Sequence, residues 1–204
     1  MTSLFLNTSS KRLIVAIIEN GNIIAKEEST TTQELSKNLM VVIDDIFVKS
    51  GKTVKDLDTI FVTNGPGSFT GIRIGLTVAK VLAWSLKIKV IPISSLELMA
   101  SGVNKPFVAS LMDARRDYVY AGLYDDNLNQ VIEDKYISLS SFMESVKDKD
   151  VVFVSDDDYD FASNPGYDIL KVIEKHKDDS GVNPHLLNPN YLKKTEAEEN
   201  LNRM

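Results

Sequence analysis

Hydrophobic and polar residues alternate along the chain in short β-type runs, which turns and two longer helical patterns separate. Near the amino terminus the alternation predicts strands over 3–7, 13–18 and 22–28, and Asn20-Gly21 is typical of a two-residue hairpin turn. The other elements predicted for the first half are a helix over 32–49, a strand over 59–63, a helix over 70–86, a strand over 89–93 and a short helix over 94–101. The predicted order is therefore β-β-β-α-β-α-β-α.

The second half repeats the opening of the first. Its predicted elements are strands over 105–112, 117–124 and 129–137, a helix that opens at 138–140, a strand over 151–154 and a helix over 167–176. Shifting the sequence by 106 positions without a gap places Asn7 on Asp113, and the order of strands and turns recurs although few residues are identical. A chance repeat in a β-rich chain is the alternative, but a duplicated α/β lobe explains the order better. We therefore predict two lobes, residues 1–102 and a shorter lobe of residues 103–204.

The two long helices of the first half carry apolar or small residues on more than one side. Outside the main core faces lie Met40, Val41 and Val48 in the first helix, and a stripe of small residues at Gly71, Gly75 and Ala79 in the second. Residues four apart share one helix face, so such a stripe lets another backbone approach closely. Two interpretations stay open: both helices are sandwiched within one fold, or they cover a subunit interface.

Composition adds limits on location and partners. The 204 residues are 43% hydrophobic and 25% charged, carry a net charge of −6 and include no Cys, which excludes disulfides and thiolate metal sites. No apolar run approaches the roughly 20 residues of a membrane span, and the start of the chain has no cleavable signal pattern, so we expect a cytoplasmic protein without membrane contact. Lys and Arg form only pairs, such as Arg115-Arg116, which gives little support for strong unaided nucleic-acid binding.

The segment TIFVTNGPGSFTGIRIG, residues 59–75, joins a β-branched strand to a helix through three glycines. A strand, a glycine turn and a helix can expose backbone N–H groups to an anion. The spacing, however, matches neither the P-loop, which needs four residues between its glycines and then Gly-Lys-Ser/Thr, nor the dinucleotide fingerprint. It therefore favours a structural junction over a phosphate cradle, and it leaves Gly65, Gly67 and Ser68 as weak candidates for nucleotide binding.

Asn7 and Asp113 end equivalent strands of the two lobes, where a pair of carboxylates would hold a metal or activate water. An amide cannot act as a general base or give a cation a charged ligand, so the pair is incomplete for phosphoryl transfer, and both residues are weak nucleotide-binding candidates. His176 and His185 are nine apart and form no metal-binding motif. The acidic run at 156–160 lacks EF-hand spacing, and Ser68 has no identifiable His partner for nucleophilic catalysis. We predict no metal site and no catalytic residue in this chain.

Four segments together resemble the TsaB (YeaZ) family. GPGSFTGIRIG followed by AKVLAWSL resembles the family's signature segment, and LMDARRDYVYAGLY resembles its second-lobe hairpin. LNTSS resembles its first strand, where a DTS-type triplet is usual, and NPNYLKK is similar to its P-x-Y-L-R ending. The resemblance covers nearly the whole chain.

The resemblance implies a two-lobed ASKHA fold, like that of actin, sugar kinases and Hsp70, with RNase H-like lobes and here a reduced second lobe. It also implies a noncatalytic subunit of the machinery that makes threonylcarbamoyladenosine at position 37 of tRNAs, one that dimerises with and activates the transferase TsaD. A TsaE-like ATPase would join the assembly, tRNA would be contacted only through the complex, and ATP and metal would be bound by the partner subunits, with no cofactor in this one. The expected partner surface, for TsaD or for a second copy, lies on the helices at 32–49 and 70–86, including the Gly71, Gly75 and Ala79 stripe.

The sequence departs from the family pattern in two places that bear on enzymatic activity. Asn7 replaces the usual aspartate, and VFVSDDDYD stands where a glycine-containing nucleotide motif is expected. Both departures weaken the alternative function, an ASKHA-type ATPase or a glycoprotease-like hydrolase.

Overall fold

A computed structural model describes residues 1–30 and 35–193 of the chain. Two mixed β-sheets form the two lobes, and helices cover their faces. The strands are β1 Thr2–Asn7, β2 Leu13–Glu19, β3 Asn22–Ser29, β4 Thr59–Gly65, β5 Lys89–Ser94, β6 Val108–Asp113, β7 Tyr118–Tyr124, β8 Gln130–Ser138 and β9 Val152–Ser155. The helices are α1 Leu35–Ser50, α2 Phe69–Leu86, α3 Ser95–Ala100, α4 Leu139–Val146 and α5 Ile169–His176. Every predicted element is present, and the first residues of the helix predicted over 32–49 lie outside the described residues.

The first lobe is a five-stranded sheet of order β3-β2-β1-β4-β5. β1 is antiparallel to β2 and parallel to β4, and every residue of β1 is buried. Asn20 and Gly21 have φ values of +49° and +78°, so the predicted two-residue hairpin turn is confirmed.

The second lobe repeats this arrangement with four strands in the order β8-β7-β6-β9. β6 is antiparallel to β7 and parallel to β9, as β1 is to β2 and β4. Asn7 and Asp113 end the equivalent strands β1 and β6, which confirms the predicted duplication and its register. Within the described residues the second sheet has no counterpart of β5, so this lobe is the reduced one.

Three hydrophobic clusters hold these layers together. One packs α1 and α2 on the same face of the first sheet, and another packs α4 on the second sheet. The third joins the lobes through α3, all six residues of which are buried, with Phe5 and Phe61 from the first sheet and Tyr124 and Val154 from the second. The lobes therefore share a core and do not form two separate globules.

α2 is the most apolar long helix of the fold. Its 18 residues have a mean hydropathy of 1.3, long and apolar enough for a membrane span, contrary to the expectation that no run comes close. In the fold, Gly71, Ile72, Leu76 and Ala83 are among its buried residues and pack with the first sheet. One face of the helix therefore packs on the sheet, and 33% of its residues are buried.

The chain returns to the first lobe after α5. Val182 donates a backbone hydrogen bond to Val90 of β5, and Leu187 is buried in the α1–α2 cluster. Asn190 donates to the carbonyl of Asn64 at the end of β4. Part of the segment assigned by sequence to the second lobe, residues 103–204, thus packs on the first, because its apolar side chains complete the cover of α2.

Candidate functional site

A cavity of about 200 Å³ lies between the lobes, where β1, β4, β6 and β9 end. Its lining residues are Ser9, Ser10, Lys11, Gly67, Ser68, Met112, Asp113, Tyr120, Asp156 and Asp157. Three of the nucleotide-binding candidates, Gly67, Ser68 and Asp113, therefore meet at one place. Asn7 and Gly65 are buried and do not line the cavity.

Both polar atoms of the Asn7 side chain form hydrogen bonds inside the protein. Its Nδ2 donates to the carbonyl of Arg12 at 2.7 Å and to Ser10 Oγ at 3.0 Å. Its Oδ1 accepts from Ser9 Oγ at 2.8 Å and from Thr63 Oγ1 at 2.9 Å. Because a carboxylate has no hydrogen to donate to the Arg12 carbonyl, the amide is the group that fits this position. Asn7 orders the β1–β2 loop and presents no atom to a ligand.

The glycine junction closes directly on that loop. Ser68 N donates to the carbonyl of Ser9 at 2.7 Å, and a Cβ at Gly67 would lie 2.1 Å from the same oxygen. Ser68 Oγ accepts from Gly71 N and caps α2. A Cβ at Gly65 would meet the Asn190 carbonyl at 2.9 Å, and Gly65 has a φ of +118°. The glycines thus allow close backbone packing, as the spacing favoured.

The carboxylates around the cavity are engaged with neighbouring groups. Asp113 Oδ1 accepts from Arg115 N at 2.9 Å, which orders the turn after β6. Asp157 pairs with Lys11 at 2.9 Å, and this hydrogen bond raises the pKa of Lys11. Asp156 lies 3.4 Å from Arg12 Nε. In the part of the chain that the structure describes, no group of three or more His, Asp or Glu side chains is placed to hold a metal ion.

The small-residue stripe of α2 faces inward, which corrects its assignment to the partner surface. Gly71, Gly75 and Ala79 are buried within the chain itself. A Cβ at Gly71 would lie 2.0 Å from the Thr8 carbonyl, and one at Gly75 would lie 2.2 Å from Thr8 Oγ1. Thr8 Oγ1 also donates to the Gly71 carbonyl at 2.8 Å. The close approach that the stripe predicted is therefore made by the β1–β2 loop of the same chain.

The other three interface candidates lie on the surface. Met40, Val41 and Val48 of α1 are 47%, 58% and 81% exposed. Val81 and Trp84 of α2, which sequence reasoning did not assign to the interface, are 59% and 63% exposed. We call these five residues the α1–α2 patch. The presence of a lone Trp in an amphipathic helix was the signal that could have identified the second half of the patch.

Two polar networks that sequence analysis missed connect the lobes, and the first of them lies beside the cavity. Arg12 of the first lobe contacts Asp156 and Asn164 of the second and lies 5.2 Å from the Tyr167 ring centroid. Ser94 donates to Asp134 at 2.5 Å, and Tyr124 donates to the same carboxylate. Burial raises the pKa of Asp134. No local motif marks these residues, because their partners are distant in sequence.

Two RNase H-like lobes that face each other across a cleft, with sheets of order 3-2-1-4-5 and its shortened repeat, define a member of the ASKHA class. The solved structure of YeaZ from Pseudomonas aeruginosa has the same fold, with a TM-score of 0.75 and 22% sequence identity over 94% of this chain and 99% of that one. The family model for TsaD, tRNA N6-adenosine threonylcarbamoyltransferase, matches residues 22–164.

Relatives distinguish between a TsaB-type and a TsaD-type protein. The tRNA threonylcarbamoyladenosine biosynthesis protein TsaB of Bacillus subtilis is 33% identical over 97% of this chain and 96% of its own length. The tRNA N6-adenosine threonylcarbamoyltransferase of Persephonella marina is 29% identical, but over only 43% of this chain and 27% of its own. The chain belongs to the TsaB family.

Proposed function

We propose that this chain is a noncatalytic subunit of the machinery that makes threonylcarbamoyladenosine at position 37 of tRNA, and that it binds and activates a TsaD-type transferase. The Bacillus subtilis relative, a tRNA threonylcarbamoyladenosine biosynthesis protein, supports the pathway. The observation that carries the noncatalytic role is the closure of the glycine junction on the β1–β2 loop through the Ser9 carbonyl. One backbone N–H that could face a phosphate in a nucleotide cradle, that of Ser68, is bound to the β1–β2 loop here, and the N–H of Gly71 is bound to the Ser68 side chain.

The neighbouring side chains support the same role. The Asn7 side chain is held by five hydrogen bonds, four within the β1–β2 loop and one from Thr63 of β4, and it offers no charge to a cation. Lys11 and Asp157 neutralise each other across the cavity. ATP and metal would then be bound by the partner subunits, with none required in this one.

The α1–α2 patch is the surface that we assign to the TsaD-type partner. α1 and α2 lie on the same face of the first sheet and both expose large apolar side chains, one of which, Trp84, also lies edge-on to His185 with ring centroids 6.4 Å apart. Large apolar residues grouped on a surface mark interaction sites more often than isolated ones do. The same patch would pair two copies of this chain when the partner is absent, since a two-fold axis places the same apolar surface of both copies face to face.

The rest of the assembly follows from this role. A TsaE-like ATPase would join the pair, tRNA would be engaged within the complex, and all of this would take place in the cytoplasm. These assignments rest on the family and on the absence of any strongly basic patch in the sequence, whose net charge is −6.

Co-expression with the TsaD-type partner, followed by size-exclusion chromatography with light scattering, tests the pairing. A 1:1 complex is expected for the natural chain. Val41→Glu combined with Val48→Glu should abolish coelution, because burying two carboxylates in an apolar interface is strongly unfavourable. Val131→Glu, at a residue 41% exposed on β8 of the second lobe, is the matched control and should leave the complex intact. Coelution of the double variant would refute the assignment of the patch.

The alternative, an ATPase or hydrolase, is favoured by one observation: Ser68, Lys11 and Asp113 converge on the cavity. The cavity volume of about 200 Å³ is below the roughly 300–1,000 Å³ of most ligand sites. Calorimetry of the isolated chain with ATP and Mg²⁺ should therefore show no saturable binding. Micromolar binding, with turnover that Asp113→Ala abolishes, would favour the enzyme instead.

A further inference from the structure

Aromatic side chains border the open end of the cavity on the second-lobe side. Tyr120 lines the cavity itself. Its ring lies 5.7 Å from that of Tyr136, and the Tyr136 ring stacks on Tyr118 with centroids 4.7 Å apart and planes 18° apart. Tyr118 is 40% exposed. Three rings thus form a ladder across β7 and β8 that leads out of the cavity.

The first lobe adds two more rings on its side of the opening. Phe69 directly follows the cavity residue Ser68 and stacks on Tyr191, with centroids 5.5 Å apart. These two side chains are 55% and 44% exposed. Lys193, two residues beyond Tyr191, places its Nζ 5.1 Å from the Tyr136 ring centroid and so connects the two sides. We call Phe69, Tyr118, Tyr120, Tyr136 and Tyr191 the aromatic rim.

Cations accompany these rings. The Arg73 guanidinium lies 3.7 Å from the Phe69 ring centroid and donates from Nε to the Tyr191 hydroxyl at 2.8 Å. The exposed Arg115 and Arg116 lie in the turn before β7, where they and Asp117 have φ values of +66°, +56° and +61°. Non-glycine residues seldom adopt such angles, and strain of this kind is concentrated at functional sites. Ala114 N donates to the Tyr118 carbonyl and Arg115 N donates to the Asp113 side chain, and these two hydrogen bonds hold the turn in place.

We propose that the aromatic rim is a contact surface for an unpaired RNA strand. This inference rests on the proposed function, because that function brings the chain to a tRNA. Exposed rings provide faces on which unstacked bases can lie, and nearby guanidinium and ammonium groups attract the phosphates between them.

Two features favour RNA over the other occupants of such a surface. The α1–α2 patch, assigned to protein contact, is mainly aliphatic, whereas the rim combines stacked rings with Arg73, Arg115, Arg116 and Lys193. Of the acidic groups nearby, Asp157 is paired with Lys11, while Asp113 keeps its charge and accepts a hydrogen bond from Arg115 N. Since the whole chain has a net charge of −6, binding should be weak in isolation and depend on stacking more than on charge.

The test measures fluorescence anisotropy of a labelled, unstructured 12-nucleotide RNA with the full-length isolated chain at low salt. Tyr118→Leu combined with Tyr136→Leu keeps apolar bulk but removes two stacking faces, and it should weaken binding about tenfold or more. Phe161→Leu is the matched control: Phe161 is 43% exposed and lies in another aromatic cluster, with Phe153 at 5.6 Å. An RNA duplex of equal charge should bind more weakly, because its bases cannot reach the rings.

A second variant tests the charges. Arg115→Gln combined with Arg116→Gln should lower the slope of log K against log salt by about 0.7 for each phosphate that the variant no longer neutralises. Photocrosslinks from 4-thiouridine in the same RNA should map to the segments 118–136 and 189–193.

The inference is overturned if the isolated chain shows no saturable RNA binding, if the tyrosine variant binds as tightly as the natural chain, or if the duplex binds equally well. Equal weakening in the Phe161→Leu control would also overturn it. If RNA binding fails while the chain still coelutes with the TsaD-type partner, only the assignment of the aromatic rim to RNA is rejected. If the rim binds RNA but the chain does not coelute with the TsaD-type partner, only the proposed binding of that partner is rejected.

Discussion

At the residue scale, the amide of Asn7, at the end of β1, has a structural role: it orders the β1–β2 loop by hydrogen bonds. Its Nδ2 donates to the Arg12 carbonyl, and its Oδ1 accepts from Thr63 of the neighbouring strand. The side chain is completely buried. Its role can be tested separately from any role in chemistry, because an aspartate has nearly the same size but replaces the amide donor with a charged acceptor.

Asn7→Asp should therefore destabilise the fold by about 1–3 kcal/mol at pH 7, since it places a buried carboxylate against a carbonyl oxygen. The destabilisation should shrink at low pH, where a protonated carboxyl can donate to the same carbonyl. Urea unfolding at several pH values measures this. Asn22→Asp, at an exposed site, is the control and should change stability by less than about 0.5 kcal/mol. Equal stabilities for both variants at pH 7 would contradict the account of Asn7.

Gly71 offers a test in which the sign of the effect is decisive. Replacing a helical Gly by Ala at a free surface stabilises a helix by about 1 kcal/mol. Gly71→Ala should instead destabilise the chain by about 1–3 kcal/mol, because the new Cβ would lie 2.0 Å from the Thr8 carbonyl and backbone would have to move. Thermal unfolding of this variant beside the exposed Thr77→Ala distinguishes the two cases. A more stable Gly71→Ala would mean that the stripe is open after all.

At the element scale, α5 is fastened to α3 by a charged cluster. Glu97 of α3 is only 6% exposed, and its carboxylate accepts a hydrogen bond from Lys175 Nζ at 2.8 Å. The same carboxylate is hydrogen-bonded to His176 Nε2 at 2.8 Å. The other ring nitrogen of His176, Nδ1, lies 2.7 Å from Asp179. The hydrogen bond to Glu97 is the largest cause of the raised pKa of His176. The contact therefore depends on a charged imidazolium.

A raised His pKa fixes the sign of the pH dependence. The stabilisation from His176 is fully present below the unfolded value of about 6.5 and is lost as the pH rises through the higher folded value. Urea unfolding between pH 5.5 and 8.5 should show the natural chain losing stability over this window relative to His176→Gln. His185→Gln should retain the pH dependence of the natural chain. Parallel curves for the natural chain and His176→Gln would contradict the cluster's role.

The order of elements could be predicted from the sequence because strand and helix periodicities are local properties. The same periodicity showed that Gly71, Gly75 and Ala79 share a face, but it could not show what covers that face. The cover is Thr8, more than sixty positions away. Arg12 and Asp134 were missed for a similar reason, since the contacts that define their networks are formed only when the lobes meet.

At the scale of the whole molecule, the two lobes form one body around α3. The cluster that contains Phe5, Phe61, Tyr124 and Val154 crosses from one sheet to the other, and Arg12 ties the lobes again beside the cavity. Closure of the cleft around a substrate would have to rearrange this shared core. A rigid subunit that offers its outer helices to a partner agrees better with this construction than an enzyme that opens and closes.

We infer that the α1–α2 patch is required for tRNA modification and that the charge of the cavity is not. In a strain that lacks this gene, the level of threonylcarbamoyladenosine in bulk tRNA can be measured by mass spectrometry after complementation with equal amounts of each variant. Asp113→Asn removes the cavity charge but keeps the acceptor for Arg115 N. Val41→Glu combined with Val48→Glu alters the patch, and Val131→Glu is its control.

We predict a natural level of the modified nucleoside with Asp113→Asn and with Val131→Glu, and a level at least about tenfold lower with the patch variant. A normal level with the patch variant, together with disappearance of the nucleoside in Asp113→Asn, would contradict the account and place the function in the cavity.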